Sequence, residues 1–343
     1  MKTLGTPRGN VSPKQNSIME QLFPIIQNGV VKKNVTPPRK PFIEANSLEV
    51  QLHHLERECI IPVFSKDNER TISHQEFIDV ALIATSDALG GAYLEQPEIR
   101  VSHEIKGRTP DAIHKSAKEL YDHEKTIYYE RMAFIARVPA FEEEIGGNSL
   151  ALTIGGVRSY NQENLYHKKS LERFKFFIGF QNLVCCNLCI STDGMKEELK
   201  ASTVKELYGK IFEVVRNFQV DRLLTQLYDL SQYKLTEHQF AQLIGRCRLY
   251  QHLPKEKKRL IPALDFNDGQ FNTIVKDYYQ DNSFCRDASG DINLWNLYNL
   301  FTQANKSSYI DTFLDRNVNA LHLSTGVLQA MSTRNSGYEW FLS

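Results

Sequence analysis

The sequence lacks the segments that direct a chain into or across a membrane. Met1–Asn16 carries Lys2, Arg8 and Lys14 but no apolar core of the kind found in a signal peptide. No window approaches the roughly 18 apolar residues that a membrane span needs. We therefore expect a cytoplasmic protein that is neither secreted nor membrane-spanning and has no membrane partner.

Cysteine is scarce. The chain has 6 cysteines in 343 residues, too few for a disulfide framework, and Cys185, Cys186 and Cys189 fall close together. This pattern is typical of a reducing compartment. The lone C-x-x-C at Cys186–Cys189 has no second pair to complete a zinc site, and on a strand its thiols would point to opposite faces. We expect these thiols to pack in the core, with no metal and no cofactor.

Net charge is also absent, because 41 basic residues balance 41 acidic ones. This balance excludes a globally basic nucleic-acid binder, so any such binding must use a local patch. Recognisable catalytic motifs are missing as well: there is no H-E-x-x-H, no P-loop and no G-x-S-x-G. An enzyme would have to assemble its site from dispersed residues, for which the candidates are Arg100, His103, Glu130, Arg158 and Asn187.

The pattern along the chain predicts an α+β fold. A central antiparallel β-sheet is expected over about residues 97–190, followed by a mainly helical C-terminal half. Residues 1–45 are rich in proline and basic side chains and predict a poorly ordered leader. Residues 46–325 are expected to form a single domain, β-rich to about 192 and helical after about 203, and residues 326–343 a C-terminal tail.

Helix starts are marked by local chemistry. Capping boxes are predicted at Ser73–Glu76 and at Thr236–Gln239, and Thr109–Pro110 predicts a helix running to about Tyr121. After Thr236 the apolar residues recur at helical spacing. This face consists of Phe240, Leu243, Ile244, Cys247 and Tyr250.

Strand signals dominate the middle of the chain. Thr126–Val138 predicts one strand, and Gly146–Gly147 predicts the turn of a hairpin. Gly155–Gly156 predicts a β-bulge. In the apolar stretch that follows, Asn182 and Asn187 are expected to be buried and hydrogen-bonded, because an amide without a partner is costly to bury.

Basic and aromatic residues interleave in the β-rich block. A sheet face with cations for phosphates and rings for bases suits single-stranded nucleic acid. A solvated charged surface over core aromatics is the alternative, since acidic neighbours dilute the set. The candidate nucleic-acid-binding residues are Arg131, Arg158, Tyr160, Tyr166, Lys168, Lys169, Arg173 and Lys175. A second basic cluster follows the capped helix and comprises Arg246, Arg248, Lys255, Lys257, Lys258 and Arg259.

Several phrases resemble an uncharacterised family of bacterial mobile-element proteins, the domain of unknown function 3871. The likeness spans about Ser47 to Asn319. The phrases are residues 60–69 (IPVFSKDNE after Ile60), 99–110 (IRVSHEIKGRTP), 126–134 (TIYYERMAF), 155–164 (GGVRSYNQEN), 177–194 (FIGFQNLVCCNLCISTDG) and 305–316 (NKSSYIDTFLDR). A Val-Cys-x-Asn strand and Trp295-x-Leu-Tyr-Asn-x-x-Thr are more distantly similar to a broad phage- and plasmid-encoded family of unknown function.

The resemblance implies a mobile-DNA setting and brings no catalytic residues. We therefore expect a mobile-element-associated protein that binds single-stranded DNA without catalysis. The alternatives are an enzyme with a dispersed site and a protein-interaction module. A deep pocket with converging polar groups would favour the enzyme. A broad exposed apolar patch would favour the interaction module.

Overall fold

The structure is a computed structural model that describes residues 40–60, 71–112, 114–160, 171–333 and 337–343. The strands are β1 (Leu48–Val50), β2 (Glu98–Val101), β3 (Glu104–Arg108), β4 (Lys125–Tyr129), β5 (Arg131–Ile145), β6 (Asn148–Ser159), β7 (Glu172–Asn182), β8 (Leu188–Cys189), β9 (Met195–Ala201), β10 (Lys234–Leu235) and β11 (Ile292–Asn293). The helices are α1 (Leu52–Arg57), α2 (His74–Ala88), α3 (Val204–Asn217), α4 (Val220–Gln232), α5 (Glu237–His252), α6 (Lys255–Lys258), α7 (Asp268–Gln280), α8 (Leu294–Asn305) and α9 (Ile310–Thr333).

A seven-stranded antiparallel sheet forms the centre of the fold. Its order is β1-β2-β5-β6-β7-β8, and β9 also pairs with β7. The pairs β3–β4 and β10–β11 form separate two-stranded ladders. The helices from α3 onward follow the last strand of the large sheet in sequence. The predicted α+β class is therefore confirmed.

The β5–β6 hairpin turns where the sequence predicts it. Gly146 and Gly147 have φ angles of 54° and 76°, the left-handed pair that a tight hairpin turn requires. A Cβ atom at Gly146 would lie 2.6 Å from a ring carbon of Trp295 on α8. The indole Nε1 of Trp295 donates to Asn148 Oδ1 at 2.9 Å. The hairpin tip thus docks on the helical half of the chain.

The sheet is covered on both faces because strand side chains alternate. On one face, the ring of Phe77 from α2 lies 5.4 Å from that of Phe134 and 4.9 Å from that of Phe174. On the other face, Phe313 of α9 belongs to a buried cluster with Ile135 and Phe177. Both α2 and α9 therefore position residues against the sheet.

Gly155–Gly156 does not form the predicted bulge. Both glycines pair in register with β5 and β7, and the irregularity in β5 falls between Arg137 and Glu142 instead. A Cβ atom at Gly155 would lie 2.6 Å from the ring of Phe177, and one at Gly156 would lie 2.5 Å from the ring of Phe77. These glycines are needed because aromatic rings from both faces fill their side-chain space.

Two other local predictions were wrong. The helix expected from Thr109 to about Tyr121 is only a 3-10 turn at Pro110–Ala112. Ala117 and Tyr121 further along this segment are exposed, so no described element packs on a helical face there. The strand expected over Thr126–Val138 is broken at Glu130 into β4 and β5, which join different sheets.

Both ends of the predicted domain extend further than the sequence suggested. Phe42 and Ile43, expected in the leader, are 2% and 0% exposed and pack in the cluster beside α9. The boundary expected at 325 falls inside α9, where Val327 is fully buried. In the part of the chain that the structure describes, no helix is both long and apolar enough to pass through a membrane.

Candidate nucleic-acid interface

Cations of the predicted sheet-face set are held by carboxylates. Arg131 Nε lies 3.1 Å from Asp311 Oδ2, and Lys175 Nζ lies 2.7 Å from Asp315 Oδ2; both acids are on α9. Arg173 Nη1 lies 3.1 Å from Glu198 Oε1 of β9. A phosphate would have to compete with these carboxylates, so this face is weakly attractive to a polyanion.

Arg158 and Tyr160 are not part of an exposed face. Arg158 is 1% exposed and pairs with Glu172, and its guanidinium also donates to the Ile72 carbonyl oxygen. Its guanidinium lies 4.7 Å from the ring centre of Tyr160, which is 4% exposed and stacks on His74 at 4.3 Å. Arg158 is tied to α2 because β6 directs it to the face opposite Lys175.

Glu172 completes this buried group. Both of its carboxylate oxygens accept from the Ile72 N–H, at 3.1 and 3.2 Å. Burial raises the pKa of Glu172, and the positive charge of Arg158 opposes that rise. The arrangement satisfies a buried charge and fixes the chain ahead of α2, which is a structural role. The remaining predicted residues Tyr166, Lys168 and Lys169 lie outside the described residues.

The second basic cluster is positioned by α5. Thr236 caps this helix: its side chain accepts from Gln239 N–H at 3.3 Å, and Gln239 Oε1 accepts from Thr236 N–H at 3.0 Å. The capping box is therefore confirmed. The buried residues of α5 are those of the predicted apolar face, Phe240, Leu243, Ile244, Cys247 and Tyr250.

Burying that face turns the cations of α5 outward, and α6 continues them. Pro254 stops α5 and its carbonyl oxygen accepts the first N–H groups of α6, from Lys257 and Lys258 at 3.0 Å each. Residues 246–259 contain six cations against the single carboxylate of Glu256. We call this region the α5–α6 surface; its cations are Arg246, Arg248, Lys255, Lys257, Lys258 and Arg259.

Half of these cations are uncompensated. Lys255, Lys257 and Arg259 are exposed, and the described residues supply no ion-pair or hydrogen-bond partner for their side chains. Arg248 lies 3.6 Å from Asp268 in a pair that is itself exposed, a kind that contributes little. Two large apolar side chains flank the cations: Leu249 is 57% exposed and Leu260 is 84% exposed.

Aromatic rings border the α5–α6 surface. A 3-10 segment, Gly337–Phe341, packs against α5, with the ring of Trp340 6.4 Å and that of Phe341 6.1 Å from the ring of Tyr250. Arg246 lies 5.2 Å from the ring centre of Trp340, and Lys258 lies 5.2 Å from that of Tyr250. Two neighbouring rings, Trp340 and Tyr250, therefore each have a cation beside them.

A small cleft lies between α1, the start of α2 and β4. Its cavity of about 20 Å³ has room for about one water molecule. It is lined by Leu55, Cys59, Ser73, His74, Gln75, Tyr128, Tyr129 and Tyr160.

Burial keeps three titratable groups of the cleft, those of His74, Tyr129 and Cys59, in their neutral forms near neutral pH. His74 Nε2 donates to the Tyr129 carbonyl oxygen at 2.8 Å, and burial, followed by the charge of Arg158, lowers the pKa of His74 to about 3. The hydroxyl of Tyr129 lies 2.9 Å from His54 Nε2, and burial raises the pKa of Tyr129. Burial and the charges of Glu58 and Glu104 raise the pKa of Cys59 to about 11. The cleft can hold a neutral hydrogen-bonding group, and these shifts make His74 a poor base and Cys59 a poor nucleophile near neutral pH.

The dispersed enzyme candidates have different neighbours. Arg100 donates to Ser47 at the edge of the sheet, and His103 is exposed after β2. Arg158 lies in the buried pair described above, and Glu130 lies at the break between β4 and β5. Asn187 contacts α8. None of these five residues lines the cleft between α1, α2 and β4.

Asn182 and Asn187 belong to a buried polar group beneath α8. Both are at most 1% exposed. Asn182 Nδ2 donates to Asn299 Oδ1 at 3.3 Å, and Asn187 Nδ2 donates to the Asn299 carbonyl oxygen at 3.0 Å. The ammonium of Lys306, 2% exposed, donates to the Cys185 carbonyl oxygen, and burial lowers its pKa. These amides join the turn after β7 to α8.

The six cysteines are free thiols. Burial raises the pKa of Cys185 to about 12 and raises those of Cys189 and Cys247 as well, so these thiols stay protonated. Cys186 has a φ angle of 59° and lies in the turn before β8 rather than on a strand. Across the described ranges, no three His, Cys, Asp or Glu side chains form a group that could hold a metal ion.

One comparison with known proteins identifies the family. The family model described as "Domain of unknown function, B. Theta Gene description (DUF3871)" matches residues 24–342. The chain belongs to this family. Among curated proteins and among solved structures, nothing matches this DUF3871 protein.

The sequence of this DUF3871 protein shows both sets of cations, but it does not show which of them are paired with acids in the fold. The acids that hold Arg131 and Lys175 lie far along the chain, on α9. Trp340 was missed because the segment after Val327 has no periodic pattern. The α5–α6 surface could have been found from the charge imbalance of residues 246–259, which contain six cations and one carboxylate.

Proposed function

We propose that this protein binds nucleic acid through the α5–α6 surface, without catalysis. The observation that carries the proposal is the set of exposed cations for which the described residues supply no carboxylate, namely Lys255, Lys257 and Arg259. Lys and Arg in this state attract phosphates and release the counterions that surround them. The net charge of the whole chain is zero, so the attraction is confined to this local patch.

The cleft supports the non-catalytic part of the proposal. His74 and Cys59 are neutral there, because the pKa of His74 is lowered to about 3 and that of Cys59 is raised to about 11. A general base works best when its pKa is near the working pH. The mobile-element setting implied by the sequence stays a prediction.

The test is a salt titration of binding to labelled DNA by the full chain. The variant replaces Lys255, Lys257 and Arg259 with Gln. If each cation contacts one phosphate, the slope of log affinity against log salt should fall by about 2 to 3, since each contact contributes about 0.7 for a single strand and 0.9 for a duplex. Affinity at low salt should fall with it.

The matched control replaces Lys125, Lys200 and Lys234 with Gln. These three are also exposed, at 55%, 45% and 57%, but each already lies within 3.0 Å of a carboxylate. The change in net charge is the same, so the control should keep the wild-type slope. Equal loss in both triple variants would show a general charge effect and reject the surface, and absence of binding at low salt would reject the proposal.

A further inference from the structure

Resting on the proposed function, we infer that the ligand is a single strand and that Trp340 stacks on one of its bases. The inference begins with the placement of the ring. Trp340 is partly exposed, whereas its neighbour Phe341 is fully buried against α5. Phe341 therefore anchors the segment, and Trp340 remains at its surface beside Arg246.

The segment is held in place from two sides. Arg246 Nε donates to the Ser343 carbonyl oxygen at 2.6 Å, and its guanidinium covers part of the Trp340 ring. On the other side, the ring of Tyr338 lies directly over Gly326 of α9, where a Cβ atom would be 2.3 Å from it. Trp340 is thus presented by a fixed backbone, which lowers the entropy lost when it contacts a ligand.

The arrangement of charge and ring selects the form of nucleic acid. Binding of single strands combines cations that track the phosphates with aromatic faces on which bases stack. Arg246 places a cation beside the Trp340 ring, and Lys258 places another beside Tyr250. A paired base cannot offer its face to Trp340, because its neighbours in the duplex cover it. The surface therefore fits a single strand better than a duplex.

Intrinsic fluorescence gives a direct readout. The chain has 2 tryptophans. Trp295 is fully buried and its indole donates to Asn148. A base that stacks on Trp340 should quench the emission of the wild-type chain, and Trp340→Phe, which leaves only Trp295, should lose that response while keeping part of the affinity.

The experiment titrates the full chain with a short oligothymidylate and with a duplex of equal length. We expect quenching by the single strand and weaker binding of the duplex. Trp340→Leu should weaken binding of the oligothymidylate by about 5- to 150-fold, the range measured for loss of one stacking ring, with little change in salt slope. Tyr93→Leu, which removes a ring that is 70% exposed elsewhere, should bind like the wild type.

The outcomes separate this inference from the proposal beneath it. Salt-dependent binding of both nucleic acids with equal affinity and no quenching would overturn the stacking inference and leave the phosphate contacts standing. Binding of neither would overturn both. Quenching by anionic lipid vesicles with no response to nucleic acid would also overturn both, and would assign Leu249, Leu260 and the cations to a membrane surface. If Trp340→Leu unfolds, the wild-type quenching and the duplex comparison still decide.

Discussion

The sheet-face cations and the α5–α6 surface contain the same residue types in opposite electrostatic states. Arg131 and Lys175 face acids of α9, and Arg158 is buried with Glu172. Lys255 and Lys257 face solvent, with no such partner among the described residues. The number of Arg and Lys residues in a stretch of sequence therefore says little about the electrostatic potential at the surface. That potential also depends on the acidic side chains that the fold places beside them.

The largest expected effect is at the buried pair. Arg158→Met leaves the Glu172 carboxylate buried without its cation, so the free energy of unfolding should fall by about 3–5 kcal/mol. Urea unfolding measures it. The pKa of Glu172 should rise further in the variant, so the loss should shrink as the pH falls and protonates that carboxyl. Adding Glu172→Leu to this variant should recover part of the lost stability. A loss below about 1 kcal/mol for Arg158→Met alone would contradict the role that we give to the pair.

Lys306 is a buried cation to which the described residues supply no carboxylate as a hydrogen-bond partner, and it should behave differently. Burial lowers the pKa of Lys306 in the folded state, whereas the unfolded chain has the ordinary value of 10.5. The unfolded state therefore binds more protons between the two pKa values, and this residue's contribution to stability increases as the pH rises through that window. Each unit of lowering corresponds to about 1.4 kcal/mol.

Lys306→Met removes this titration and keeps the length of the side chain. As the pH rises above neutrality, the free energy of unfolding of the wild type should increase relative to that of the variant. Comparing the two chains cancels the other groups that titrate at alkaline pH. A difference that is constant with pH would show that the pKa of Lys306 is not lowered.

A partly buried pair should have an intermediate effect. Lys175 is 20% exposed and lies 2.7 Å from Asp315 Oδ2, while Asp315 is 38% exposed. Lys175→Met should lower the free energy of unfolding by about 1 kcal/mol, near the upper end for such pairs. It should leave nucleic-acid affinity unchanged, because this cation is already neutralised. A large loss of affinity in this variant would restore the sheet face as a binding surface.

The smallest effect on stability belongs to the α5–α6 surface. The triple replacement of Lys255, Lys257 and Arg259 with Gln should change the free energy of unfolding by no more than about 0.5 kcal/mol, since these side chains contact little. Thermal and urea unfolding check this. A substantial loss of stability would mean that these cations serve the fold, and the comparison with the sheet-face set would fail.

The sequence predicted the elements whose causes are local. The capping box at Thr236 and the apolar spacing of α5 need only neighbouring residues, as does the Gly146–Gly147 turn. The helix predicted after Thr109 failed because the fold leaves Ala117 and Tyr121 exposed, so a capping signal has no packed apolar face to support it. Local signals were sufficient where packing agreed with them.

The site was harder to predict because its determinants are distant in sequence. Lys175 and Asp315 are 140 residues apart, so no window shows that one neutralises the other. Because side chains alternate along β6, the sequence could have shown that Arg158 points away from the face of its immediate neighbours. Only the pairing of β6 with β7 shows that Lys175 lies on the face opposite Arg158. Trp340 contacts α5, but no periodic pattern in the sequence around it predicts that contact.

The docking of the β5–β6 turn on Trp295 also sets the order in which the chain can be completed during synthesis. Asn148 and Trp295 are 147 residues apart. At about 5–20 residues per second, the ribosome takes roughly 7 to 30 seconds to add that stretch. Throughout this interval the turn at Gly146–Gly147 lacks the indole ring that it contacts in the folded chain. The hairpin tip can therefore reach its final packing only after α8 has been synthesised.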